Sequence, residues 1–429
     1  MPLSDPESRI QHILDSFPAE GLFRDKEWLM SPDAFPLEPH ILQLLQDLGP
    51  ALRQFQTACN DLYFHSIQHP DSPYGWVAPL LDQGKPPAVV ELGRHPAWRS
   101  ALPSVIRPDL ILTETGVTLS EIDSLPGGIG LLAWLNETYA QLDEPVIGGA
   151  FGMIDGFAEA FPNHNILISR ESSDYEPEMQ WIASRTSRTV HRTWDITHIT
   201  PGSYYRFFEL FDLHNVEHST DWLAAAQAGQ VHFTPPLKAF LEEKLWLALF
   251  WSPQLTSWWS QNLTPHNHQL LQQVIPMGWV FDPQPLPEWA IYPDINVQSW
   301  TELKAFGNKA RELVLKISGF SERGWGSRGV TIGHDHSRDS WSAAIDQALA
   351  SFPTNPYILQ RFHKGKVLQH PTWNPTRRDV KPMKARVRLC PYYFVIDNAP
   401  QLSGVLATVC PSDKKILHGM KDAIMLPCR

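Results

Sequence analysis

The sequence predicts a mixed α/β chain, an α+β fold of several lobes, on three observations: strand-like runs forming a hairpin at 107–123, strands and helices alternating over 156–200, and a strand, glycine loop, strand, helix, strand order from 313 to 362. Its 429 residues leave room for two or three domains or lobes and a sizeable core. The reading divides the chain into a mainly helical cap at 1–100, a hairpin-bearing part of the core at 101–150, an α/β and helical region at 151–295, and a basic lobe at 296–429.

In the cap, 39–66 places Ile41, Leu44, Leu45, Leu48, Leu52, Phe55 and Leu62 at helical spacing. In the hairpin, 110–113 and 117–122 read as strands joined by a three-residue loop, Glu114-Thr115-Gly116, whose glycine takes the left-handed conformation such turns need. If Thr113 faces Val117, counting outwards pairs Ile111 with Leu119, Asp109 with Glu121 and Arg107 with Asp123, all on one face. Directly opposed like charges destabilise a sheet, so three carboxylates gathered there call for a cation, and magnesium takes such oxygen donors. A solvated edge hairpin is the alternative that needs no ligand. Gly127-Gly128-Ile129-Gly130 and a helical run at 131–139 follow, an approach path for a charged ligand.

Beyond the hairpin, strands are expected at 158–160, 165–169 and 189–194 around an acidic helix at 175–184, in the manner of a substrate-binding α/β unit. Residues 203–290 read as Trp-rich and helical, including 240–251 and 267–275. A proline-rich linker at 283–293 leads to a helix at 300–311, strands at 313–317 and 330–332, a helix at 341–351, a strand at 357–362 and two or three more strands up to 409.

Charge divides along the same line. Residues 1–300 hold 15 Lys and Arg against 36 Asp and Glu, and 301–429 hold 20 against 10. An acidic lobe holding metal and a basic one holding phosphate would show this contrast. Lys316 ends a buried strand, and a loop carrying Ser321, Gly324 and Gly326 follows it, the composition that cradles a triphosphate with backbone N–H groups and an ammonium. The lysine precedes the glycines, so this is not the GxxxxGK[ST] loop. Gln360, Arg361 and Phe362 lie on a strand whose backbone is placed to pair with an adenine edge. Lys384, Arg386 and Arg388 alternate along one strand face; few acids lie nearby in sequence, which favours phosphates opposite them.

Taken together these motifs resemble the circularly permuted ATP-grasp ligases, and most closely the glutathionylspermidine synthase-like group, over most of 100–410. That family carries Arg-x-Asp and then Glu-x-Asn; here stand Arg107-Pro108-Asp109 and, twelve residues after the aspartate, Glu121-Ile122-Asp123. The resemblance implies a circularly permuted ATP-grasp core with an inserted substrate-binding α/β region. It further implies Asp109, Glu121 and Asp123 as Mg²⁺ ligands, Arg107 on a phosphate, and Lys244, Lys316, Ser321, Gly324, Gly326, Gln360, Arg361 and Phe362 as ATP contacts. Asp123 replaces the family's asparagine, and the late clamp arginine has no counterpart near Thr408, so Arg386 or Arg388 takes that role.

The implied activity is an ATP-dependent carboxylate–amine ligase working through an acyl phosphate on two small-molecule substrates. A non-catalytic nucleotide-binding protein and an ATP-grasp phosphotransferase are the alternatives. The 429 residues include no amidase-like domain, so polyamine and glutathione specificity does not transfer. Cys59, Cys390, Cys410 and Cys428 form no CxxC pair and sit in no nucleophile motif, consistent with a reduced cytoplasm. No apolar run is long enough to span a bilayer, residues 1–17 read as a capped amphipathic segment rather than a signal peptide, and no basic-and-aromatic platform for nucleic acid is evident.

Overall fold

The computed structural model describes residues 5–18, 22, 28–123, 125–287, 290–324, 328–419 and 421–429. In chain order its strands are β1 (Val105–Thr113), β2 (Gly116–Asp123), β3 (His164–Ile168), β4 (Val190–Arg192), β5 (Gly202–Phe207), β6 (Val231–Thr234), β7 (Gly278–Val280), β8 (Leu313–Ile317), β9 (Val330–Ile332), β10 (Tyr357–Arg361), β11 (Leu368–Asn374), β12 (Asp379–Ile396), β13 (Ala399–Pro411) and β14 (Ile424–Pro427). They build three sheets in a chain that separates into two compact units. Both units are discontinuous: the first takes 1–53, 101–237 and 364–429, the second 54–100 and 238–363. The contiguous segments read from the sequence do not follow this partition, because β1 pairs with β12 from the other end of the chain.

The first unit holds two sheets. One is antiparallel in the order β14-β13-β12-β1-β2, with β11 also on β12. The other is parallel in the order β4-β3-β5-β6. Part of 203–290, read as helical, is therefore strand. Tyr204, Tyr205 and Phe207 of β5 are buried, and a short run of aromatic residues suits a strand buried on both faces as well as it suits a helix. Residues 158–160 differ in the opposite sense and close the helix Gly152–Ala160.

His370 on β11 is 2 % exposed, with its ring 5.6 Å from that of Phe35 and no hydrogen-bond partner for Nε2 among the described residues. Burial pulls its pKa down to about 4 from an ordinary 6.5. The folded state thus binds fewer protons than the unfolded one, so stability is full above pH 6.5 and falls as the pH drops from 6.5 towards 4, by up to about 3 kcal/mol. Urea unfolding at pH 7 and pH 4.5 should show that loss, and His370→Phe should remove its share.

The second unit contains one antiparallel sheet in the order β7-β10-β8-β9. Leu313, Leu315, Ile317, Tyr357, Leu359 and Trp279 form its core with Trp341, Ile345 and Ala348 of the helix Arg338–Ser351. Every second residue of β8 and β10 faces that core, which turns Lys316 and Gln360 to the opposite face. The helix expected at 300–311 is two short 3₁₀ turns, Trp300–Ala305 and Asn308–Arg311. The long helix Pro39–Gln68 forms as the apolar spacing predicts. Among the described residues no helix is long and apolar enough to cross a membrane.

Candidate functional site

The hairpin brings its charges together by a route the sequence concealed. Arg107 faces Asp123 and Asp109 faces Glu121, as the count predicts. At the turn the count is off by one, since Thr113 faces Gly116 across the two residues Glu114 and Thr115, and Gly116 has φ 145°. A bulge at Ser120 cancels the offset, its hydroxyl donating to the Asp109 carbonyl at 3.1 Å. Two departures thus leave the charged pairs in the expected register.

What compensates the carboxylates is arginine. Asp109, 3 % exposed, has its Oδ1 3.0 Å from Arg107 Nη2 and receives the Cys390 thiol there at 3.3 Å. Its Oδ2 accepts from Arg388 Nη1 at 2.7 Å. Arg107 Nη2 also donates to Asp123 Oδ2, and Asp123 Oδ1 accepts the Leu125 N–H at 3.0 Å. Arg388 sits on β12 opposite Ile111, so β1 itself supplies the acid that faces the basic strand, from a place 279 residues away in sequence. The phosphates expected opposite that strand are not needed to balance Arg388.

Burial works to raise the Asp109 carboxyl, and Arg107 and Arg388 overcome it, holding Asp109 below the ordinary range. Asp123 is raised, first by burial and then by Asp109 and Glu121, against the pull of Arg107. Burial also pushes the Cys390 thiol up to about 12, which leaves it a hydrogen-bond donor and not a nucleophile.

The donor set of Asp109, Glu121 and Asp123 has the hard oxygens magnesium takes. As folded it does not fit the ion, because Asp109 has both oxygens, and Asp123 both of its own, committed to guanidinium, thiol or backbone donors. Among the described residues no group of three or more His, Cys, Asp or Glu is arranged to hold a metal. Arg386 lies apart, its guanidinium donating to the Gly365 and Lys414 carbonyls at 3.3 and 2.8 Å, so of the two candidate clamp arginines only Arg388 meets Asp109. The helix start after Gly128 is also occupied. Glu178, fully buried, accepts from the Gly128 and Leu131 N–H groups at 2.7 and 3.3 Å and takes the place expected for a charged ligand.

The second unit gathers the remaining candidates. Lys316 on β8 and Gln360 on β10 are diagonal neighbours on one sheet face, Lys316 opposite Ile358 and Gln360 opposite Val314. Gln360 is fully buried, and neither its Nε2 nor its Oε1 has a hydrogen-bond partner among the described residues. Buried amides are almost always paired, and this donor and acceptor, side by side, are left unsatisfied by the described residues. Gly278 faces Gln360, and a Cβ there would stand 3.0 Å from Gln360 Cγ.

The β10 backbone itself is not free for adenine, because β7 and β8 flank it on both edges. Arg361 turns to the other face, bonded to Asp294 Oδ2 and to the Asp294 carbonyl, each at 2.8 Å, and so leaves the set. Phe362 follows the strand, its ring 4.7 Å from that of His334. Lys244, half-buried, stands at the N-cap of the helix Leu245–Leu249, which packs on β7 and β10.

The glycine loop after Lys316 is anchored by a residue the sequence reading passed over. Glu243, buried, accepts from Lys85, from the Ser318 hydroxyl and from the Gly319 N–H, the last at 2.9 Å. A Cβ at Gly319 would meet the Glu242 carbonyl oxygen at 2.0 Å, so the loop start needs glycine. Ser321 and Gly324 form the tight turn that follows, with Gly324 N–H donating to the Ser321 carbonyl at 2.8 Å. Gly326 lies outside the described residues. Two adjacent acids, Glu242 and Glu243, directly before Lys244 and flanked by apolar residues, were the available signal for Glu243.

No family model matches the sequence, and no curated protein does. The fold is similar to that of a glutathione synthetase-like effector from Globodera pallida, solved in its apo form, with TM-score 0.55 and 11 % identity over 99 % of this chain and 97 % of that one. A gamma-glutamylcysteine synthetase candidate from Methylobacillus flagellatus is matched at TM-score 0.39 and 11 % identity, over 80 % and 82 % of the two chains. The first likeness speaks for the fold: the chain has a synthetase-like α/β architecture.

Proposed function

We propose that the protein is an ATP-dependent ligase of the circularly permuted ATP-grasp kind that joins a small-molecule carboxylate to an amine. The observation that carries this is the face of β8 and β10, where the Lys316 ammonium and the unpartnered Gln360 amide lie a diagonal apart. A cation for phosphate and a donor–acceptor pair for a base edge are what a nucleotide requires. The synthetase-like fold supports the reading, as does the anchored loop at 318–324.

In this reading a substrate carboxylate oxygen attacks the γ-phosphorus of ATP, the bond from that phosphorus to the ADP oxygen breaks, and an acyl phosphate forms. The amine then attacks the acyl carbon, the carbon–oxygen bond to phosphate breaks, and the amine loses a proton to give the amide. Lys244 and Lys316 offset phosphate charge, and Gln360 holds the base. The loop at 318–324 covers the phosphates and keeps water from the acyl phosphate. Magnesium, which the family resemblance implies, is given no step, because in the ligand-free fold Asp109 and Asp123 are already paired.

A nucleotide-binding protein without turnover is the second reading, favoured by those same arginine-paired carboxylates. Release of ADP that depends on an acid and an amine together decides between the two.

Calorimetric titration with ATP tests the base assignment. Gln360→Leu should weaken binding about tenfold, some 1.4 kcal/mol, while leaving the ligand-free protein as stable or more so, because a buried unpaired amide is removed. Unchanged affinity would remove Gln360 from the site. Lys316→Met should weaken ATP binding and spare the fold.

A further inference from the structure

The cluster on β1, β2 and β12 has a charge pattern at odds with a resident cation. Arg107, 8 % exposed, and Arg388 direct their Nη atoms at Asp109, while the Nε–H of each is buried with no acceptor among the described residues. Two buried donors in want of an acceptor call for an oxyanion. Carboxylates with every oxygen engaged call for nothing more. As folded the cluster suits an anion and repels a metal.

We propose that in the ligand-free protein Arg107 and Arg388 fill the place a divalent cation would take, so that Asp109 and Asp123 bind no divalent cation until an oxyanion draws the guanidinium groups away. Phosphate oxygens, offered to the free Nε–H donors, compete with Asp109 for the arginines, and only the released carboxylates become ligands for a hard cation. Cation binding is then conditional on anion binding. This rests on the ligase reading only for the identity of the anion, a nucleotide polyphosphate.

The experiment is Mn²⁺ titration followed by electron paramagnetic resonance on the nucleotide-free full chain, with Asp109→Asn as the reference for binding elsewhere. Wild type should bind no more Mn²⁺ than Asp109→Asn does. Arg388→Gln should gain one site, at least tenfold tighter than any in wild type, and Arg388→Gln with Asp109→Asn should lose it. A site in wild type that depends on Asp109 overturns the proposal, as does a folded Arg388→Gln that gains none. Should Arg388→Gln fail to fold, the comparison of wild type with Asp109→Asn decides alone. Calorimetry with a non-hydrolysable ATP analogue runs beside it: absence of nucleotide binding brings down the ligase reading, while the Mn²⁺ comparison still judges the arginine pair.

Discussion

Replacing Asp109 by alanine should lower the unfolding free energy of the first unit by about 3–5 kcal/mol, because two buried guanidinium groups lose a shared counter-ion. The family resemblance alone would make Asp109→Ala a clean loss of activity in an intact fold. The structure makes it a stability variant as well. Denaturant unfolding followed by tryptophan fluorescence gives the loss directly, and a change below about 1 kcal/mol would show that the arginines find other partners. Asp109→Asn keeps the volume and part of the hydrogen bonding, so it should cost less, and it is the fitter variant for functional work.

The second large effect lies in the other unit. Glu243→Ala should cost about 3–5 kcal/mol, since the Lys85 ammonium would stay buried without its carboxylate. It should also release the start of the glycine loop, which Glu243 holds through Ser318 and Gly319. Loss of stability with unchanged ATP affinity would separate the anchor from the nucleotide site. Glu243→Leu combined with Lys85→Met removes both charges together and should recover most of the stability, while the loop stays untethered and ATP binding stays weak. That pair of variants distinguishes damage to the fold from loss of loop position.

Local pattern determined a good deal by itself. The helix at 39–66, the strands at 313–317 and 330–332, the helix beginning before Trp341 and the strand at 357–362 all stand where apolar periodicity and glycine punctuation put them. The hairpin was legible because its two strands are adjacent in sequence, and the opposition of Arg107 to Asp123 and of Asp109 to Glu121 follows from counting. The Ser120 bulge was not legible, since an extra residue in one strand leaves no mark on the apolar alternation of so short a run.

Tertiary pairing decided the rest. A set of like charges seen in one segment calls for a cation, and the sequence cannot say whether that cation is a metal or an arginine arriving on a distant strand. Arg388 reaches Asp109 only because β12 pairs with β1, and that pairing also divides the chain into interleaved units. Glu178, from the helix Glu176–Arg185, at the start of the helix after Gly128, and Glu243, at the start of the glycine loop, are alike in this respect: each is a carboxylate brought from elsewhere to a place the sequence left to a ligand. Gln360 is the converse case. Its residue type was visible on the strand, but its burial without a partner among the described residues, on the face shared with Lys316, was not. Charge compensation and polar satisfaction are properties of neighbours in space, and a sequence shows neighbours only along the chain.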